Sequence, residues 1–268
     1  MHEPDRYPSG VPCWIEATAP DPLAARDFYG ALLGWSFDER EDRHVGRLEG
    51  ADVAGIAATP GPAAFTTFVR VDDVTAASER VTAAGGHVLG APVLDSSLAR
   101  TALVSDRSGI PFGLWEPVSH GGAQLVNAPG TWNWSNLAAP DPQDAIDFYG
   151  EVFGWVAATP MGEGVWMFRR PGYGDVLAER NPALRQLHDQ PGVPPGFSDA
   201  VAWLTPVTDP VTTGWSVTFA VDDADAVANR AAELGAITLA PPRDEGPTRI
   251  ALLLDPQGAV LTVSHYSG

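Results

Sequence analysis

Two stripes of apolar residues with α-helical spacing lie 120 positions apart: Ala25, Phe28, Tyr29, Leu32 and Leu33, then Ala145, Phe148, Tyr149, Val152 and Phe153. The surrounding sequence repeats too, APDPLAARDFYGALLGW at 19–35 against APDPQDAIDFYGEVFGW at 139–155. Each copy opens with Asp-Pro. Asp21 or Asp141 can cap free backbone N–H groups, while Pro22 or Pro142 fills the first helical position, where no donor is needed. Gly34 and Gly154 supply the stops. Runs with strand periodicity flank both helices. They cover 14–18 and 134–138 upstream, 35–39, 44–49 and 53–58 after the first helix, and 155–158, 165–169 and 175–178 after the second.

A second echo follows each of these blocks, FTTFVRVDDVTAASERVTAAGG at 65–86 and WSVTFAVDDADAVANRAAELGA at 215–236. Each reads as a strand, an aspartate pair that caps a helix (Asp72 and Asp73, Asp222 and Asp223), and an alanine-rich helix closing at glycine. Hairpins with D-x-x-G turns come next, at 106–109 and 255–258. The chain therefore predicts an α+β fold in which a strand, a helix and several strands recur four times. The second echo is offset by 150 residues rather than 120, so about 30 extra residues lie in the second half. They fall near 181–199, a proline-rich stretch. The expected organisation is a tail at 1–10, a module at 11–118, a linker at 119–129 and a second module at 130–268.

Composition narrows the function classes. With 44% hydrophobic and 19% charged residues, the chain is ordinary for a packed, water-soluble protein. No apolar run is long enough to span a membrane, and the first twenty residues lack a signal-peptide pattern, so a cytoplasmic protein without a membrane partner is expected. The formal charge is -18 and no basic stripe occurs, which argues against nucleic acid. The single cysteine, Cys13, has no disulfide partner in the chain and reads as a packing residue beside Trp14. The six histidines are scattered, with no H-x-H or H-E-x-x-H pair.

The four strand-helix-strand units, the aspartate-capped FYG…GW helix and the D-x-x-G hairpin resemble the vicinal oxygen chelate superfamily of glyoxalase I, extradiol dioxygenases and bleomycin-resistance proteins. PCWIEATAPDP followed by FYGALLGW resembles in particular its two-module, glyoxalase-like members from actinobacteria. The resemblance implies βαβββ units that pair into cup-shaped mixed sheets, a pseudo-dimer closed within one chain. That arrangement allows a monomer without excluding a homodimer. In metal-using relatives, His, Gln or Glu residues on facing strands hold a divalent ion, which polarises two adjacent substrate oxygens.

Carried onto this chain, the first ligand position lies seven residues before the helix-capping aspartate, at Trp14 and Trp134. The next lies six before the first aspartate of VDD, at Thr66 and Ser216, and the last four after the hairpin glycine, at Gly113 and Thr262. Two indoles, three hydroxyls and a glycine are not a divalent-ion donor set, so no metal and no cofactor are expected.

The nine tryptophans instead suggest a cup for a planar or apolar small molecule. Trp14, Phe68, Trp115 and Trp134 (with Trp132 beside it) would supply its walls, and Thr66, Asn136, Ser216, Thr218 and Thr262 orienting polar groups. The competing reading makes the indoles core filling. Glu16, two residues after Trp14 on the same strand face, is the candidate general acid or base; its counterpart Asn136 is neutral. An arginine such as Arg70 would alternatively neutralise it. The leading expectation is a metal-independent binding protein for an aromatic or polyketide-like metabolite. A metal-free lyase, isomerase or hydroxylase-like enzyme using Glu16 and a metal-dependent glyoxalase are the alternatives.

Overall fold

The computed structural model describes residues 7–40, 43–94, 96–159, 164–188, 190, 193–207 and 212–267. The first quarter of the chain is β1 (Pro12–Ala19), α1 (Pro22–Leu33), β2 (Ser36–Arg40), β3 (Arg43–Leu48) and β4 (Ala51–Ala58). The second is β5 (Ala64–Arg70), α2 (Val74–Ala83), β6 (His87–Val88), β7 (Ala99–Ser105) and β8 (Pro111–Pro117). The third is β9 (Trp132–Ala139), α3 (Pro142–Phe153), β10 (Val156–Ala158) and β11 (Trp166–Arg169), then α4 (Tyr173–Arg180), α5 (Pro182–His188), a 3₁₀ turn (Phe197–Asp199) and β12 (Ala200–Pro206). The fourth is β13 (Gly214–Ala220), α6 (Ala224–Glu233), β14 (Ile237–Glu245), β15 (Thr248–Leu254) and β16 (Val260–Tyr266). Four βαβββ units are thus present, the third interrupted before its last strand. No helix among the described residues is long and apolar enough to cross a membrane.

The strands form two eight-stranded mixed sheets, ordered β2-β3-β4-β1-β5-β8-β7-β6 and β10-β11-β12-β9-β13-β16-β15-β14. β1 runs parallel to β4, β5 to β8, β9 to β12 and β13 to β16. The hairpin neighbours run antiparallel, as short connections require.

The helix starts follow the sequence pattern. Asp21 Oδ1 accepts from the N–H groups of Leu23 and Ala24, and Asp141 Oδ1 from those of Gln143 and Asp144. Gly34 and Gly154 close these helices in the left-handed region, at φ 77° and 71°. In the VDD pairs the second aspartate is the cap, Asp73 for α2 and Asp223 for α6. Asp72 instead pairs with Arg70, so the cap expected of both aspartates belongs to one of each pair.

One expected strand is corrected. Residues 175–178 lie in α4, started by Gly172 at φ 84°. The strand that completes the third quarter is β12, beyond the insertion. The sequence YGDVLAER is rich in good helix formers, and a short apolar run does not distinguish a strand from a helical turn.

Two compact units emerge, and they are not the two sequence halves. The inner unit, so called for the two middle quarters of the sequence it holds, combines 68–122 and 135–215 with the segment before Trp14, and the outer unit, which holds the first and last quarters, combines 14–67, 123–134 and 216–268. Within the outer unit, Tyr29 Oη donates to buried Asp255 at 2.7 Å, and Trp35 Nε1 donates to the Gly130 carbonyl at 2.7 Å. Within the inner unit, Tyr149 Oη donates to buried Asp106 at 3.3 Å, and Trp155 Nε1 donates to the Gly10 carbonyl at 2.7 Å. The Tyr and Trp of each FYG…GW copy therefore fasten the hairpin aspartate and a strand-entry glycine from the other half of the sequence. Aromatic rings pack around both anchors: Phe65 and Phe219 in the outer unit, Phe112, Phe168 and Trp215 in the inner.

Candidate ligand-binding faces

β1 is buried along nearly its whole length, on both faces. One face carries Trp14 and Glu16, 1% and 6% exposed. In the outer unit Glu16 lies in register with Gly55 on β4, which in turn pairs with Val45 on β3. Glu16 Oε2 accepts from Arg43 Nη1 at 2.9 Å, and neither side chain is more than slightly exposed. Arg43, not the Arg70 named from sequence, is thus the arginine that meets this carboxylate.

Trp14 and Glu16 fold over the glycine. A Cβ built on Gly55 would stand 2.7 Å from Glu16 Oε2 and 3.2 Å from Trp14 Nε1. Thr66 is partly exposed on the outer unit's end of β5.

The inner unit's share of the first sheet is closed by aromatic packing. Phe68 is in register with Gly113, and its ring lies where any side chain at 113 would begin. Phe68 meets Trp115 edge to face at 5.6 Å. Trp115 Nε1 donates to the carbonyl of His120 at 2.9 Å, and the imidazole packs against the indole. Phe68 and Trp115 are therefore committed to protein contacts.

The second sheet differs at the corresponding positions. In the inner unit Asn136 stands where β1 has Glu16, Trp203 on β12 stands where β4 has Gly55, and Met167 on β11 stands where β3 has Val45. Asn136, Ala138, Trp203 and Thr205 are all partly exposed, whereas Leu137, Ala139, Ala202 and Leu204, on the opposite face, are buried. In the outer unit Trp134, Ser216 and Thr262 are partly exposed and Thr218, in register with Thr262, is buried. The Nε1–H of Trp132 is buried there without a hydrogen-bond partner among the described residues.

Trp203 is the residue that sequence reading missed. Taking 175–178 as the third strand left AVAWLTP, at 200–206 just beyond the insertion, without an element. The alternation of Val201, Trp203 and Thr205 with alanines and leucine was the available signal.

These positions do not fit a divalent cation. Trp14, Thr66 and Gly113 in one module, and Trp134, Ser216 and Thr262 in the other, offer no imidazole or carboxylate. At Gly113 the Phe68 ring leaves no room for one. Among the described residues no three His, Cys, Asp or Glu side chains gather to hold a metal ion. Burial raises the thiol pKa of Cys13 well above its usual value, which makes it a poor nucleophile. Burial likewise raises Tyr29 and Tyr149, each facing a buried aspartate, and raises Asp106.

Comparison with known proteins matches this architecture. Residues 13–114 match the Glyoxalase/Bleomycin resistance protein/Dioxygenase superfamily, and residues 134–264 match the Glyoxalase-like domain. CFP32 of Mycobacterium tuberculosis (strain CDC 1551 / Oshkosh), provisionally named a glyoxylase, is 32% identical over 98% of this chain and 97% of its own length. The anthracycline biosynthesis protein DnrV of Streptomyces peucetius is 30% identical over 96% of this chain and 94% of its own. The Mn(II)-bound glyoxalase of Novosphingobium aromaticivorans shares the fold at a TM-score of 0.65 and 16% identity, over 97% of this chain and 83% of that one. Residues, fold and relatives agree that the chain belongs to the glyoxalase/bleomycin resistance protein/dioxygenase superfamily, with two glyoxalase-like domains in one polypeptide.

Proposed function

We propose that this protein binds a small aromatic or polyketide-like metabolite without a metal ion, in the cytoplasm, in a sequestering, resistance or biosynthetic accessory role. The observation that carries the reading is chemical. The positions that hold ligands in metal-using relatives are indoles, hydroxyls and a glycine, and the second sheet presents an indole and a carboxamide side by side, Trp203 and Asn136. An indole offers a flat apolar surface, and a carboxamide offers both a donor and an acceptor. A planar ring system with oxygen at its edge uses both. The name of DnrV, and that of its counterpart DauV from Streptomyces sp. (strain C5), which is 30% identical over 96% of this chain, associate these relatives with anthracycline biosynthesis.

Glu16 supports this reading over catalysis. A carboxylate enclosed with Arg43 and folded over Gly55 is committed to an ion pair rather than poised to move a substrate proton.

The test is an equilibrium titration of chelator-treated protein with 1,4-dihydroxyanthraquinone, following tryptophan fluorescence. Saturable quenching, unchanged when Mn²⁺, Ni²⁺ or Zn²⁺ is restored, is expected. Binding that appears only with metal refutes metal independence. If neither this quinone nor a panel of other planar metabolites binds, the binding role is refuted.

A further inference from the structure

Equivalent positions of the two modules hold an arginine in opposite circumstances. On β3, Arg47 lies in register with Ser36 on β2 and Asp52 on β4; on β11, Arg169 lies in register with Val156 on β10 and Ala200 on β12. Both strands slip register at this point, between Gly46 and Arg47 and between Phe168 and Arg169, so the two arginines correspond. Two residues further along β2 and β10, Asp38 opposite Val45 corresponds to Ala158 opposite Met167.

In the first module two acids hold the arginine. Arg47 Nη1 donates to Asp38 Oδ2 at 3.0 Å, and Nε stands 3.2 Å from Asp52 Oδ1, an electrostatic contact rather than an aligned hydrogen bond. In the second module the corresponding residues are both alanine, Ala158 and Ala200, while the arginine is present. Among the described residues Arg169 meets no carboxylate, and its Nε–H is buried without a hydrogen-bond partner. Acidic residues outnumber basic ones 34 to 16, so an arginine without an acid runs against the composition of the chain. Arg170, next in sequence, is held by carbonyls instead, with Nε donating to Ser9 at 3.1 Å and Nη1 to Pro171 at 3.0 Å. Arg169 has neither arrangement. Its side chain is partly exposed, and Nη1 lies where a Cβ on Gly196 would begin, so this glycine of the insertion makes room for the guanidinium.

A guanidinium keeps its charge at any ordinary pH, and withdrawing it from water without a counter-charge is unfavourable. A carboxylate brought from outside removes that imbalance, and its two oxygens match the planar fork of donors. Resting on the small-molecule binding role proposed above, we infer that Arg169 anchors an acidic group of the ligand. The ligand class is a small molecule bearing a carboxylate, which takes in the second module the place that Asp38 and Asp52 fill in the first. Arg47, already neutralised by the chain itself, is no such anchor.

The test compares anthraquinone-2-carboxylate with anthraquinone-2-carboxamide, which share a ring system and differ in charge, by equilibrium titration. Arginine Nε–H resonances of ¹⁵N-labelled protein are followed in parallel. The acid should bind about tenfold or more tightly than the amide at low ionic strength, and added NaCl should shrink the difference. The Arg169 resonance, assigned by its loss in Arg169→Lys, should shift with saturation by the acid. Arg169→Gln should erase the preference without weakening the amide, and so should Ala158→Asp, which returns an acid to the guanidinium; Arg80→Gln, a surface control, should leave it in place. The wild-type resonance and Ala158→Asp decide the matter even if Arg169→Gln folds poorly. Equal binding of acid and amide, or a preference that survives Arg169→Gln, overturns the anchor while leaving the binding role intact. If neither compound binds and the Arg169 resonance stays in place, the anchor and the binding role fall together.

Discussion

Glycine at positions 55 and 113 records where one face of the first sheet was given over to packing. At 113 the Phe68 ring lies over the bare backbone, so adding a single methyl there forces overpacking. Gly113→Ala should destabilise the protein by about 1–3 kcal/mol in chemical denaturation. Combining it with Phe68→Leu should recover part of that loss, a coupling that a double-mutant cycle measures directly; strictly additive effects would show that ring and glycine do not oppose each other.

Asp106 gives a second residue-scale test. Burial raises its pKa, so the folded state holds the proton more tightly than the unfolded chain does. Its contribution to stability is therefore full below the unfolded carboxylate value and is lost as pH rises through the raised folded value. Asp106→Asn should remove that acid-range slope from a plot of unfolding free energy against pH. It should also cost about 1–3 kcal/mol near neutrality, because one carboxamide oxygen cannot replace both carboxylate oxygens that accept from Tyr149 and Ile110. A variant with the wild-type slope would assign the slope to another group.

At the scale of elements, local signals reached furthest where caps and stripes agree. Asp21, Asp141, Gly34 and Gly154 bound their helices as their chemistry dictates, and the D-x-x-G turns close with Gly109 and Gly258 donating to the Asp106 and Asp255 carbonyls. Two things were not legible. The third strand of the third quarter was displaced beyond a helical insertion, because DVLA satisfies a strand and a helical turn equally well over so few residues. Burial of β1 against openness of β9 was hidden as well, since Trp-x-Glu and Trp-x-Asn alternate identically. What separates them, Arg43 and Gly55 in one case and Trp203 in the other, arrives from strands remote in sequence. The same remoteness misdirected the choice of an arginine for Glu16.

At the scale of the molecule, the doubled DFYG…GW phrase fastens quarters of the chain that are far apart in sequence, through Tyr29 to Asp255 and Tyr149 to Asp106. Duplication kept these anchors in both modules and left the sheet faces free to diverge, one toward an enclosed ion pair, the other toward an aromatic surface. The proposed binding role is read most directly by isothermal titration calorimetry of chelator-treated protein with 1,4-dihydroxyanthraquinone. Saturable binding without added metal is the expected result, whereas binding that requires added metal, or no binding of this quinone or of other planar metabolites, would contradict it.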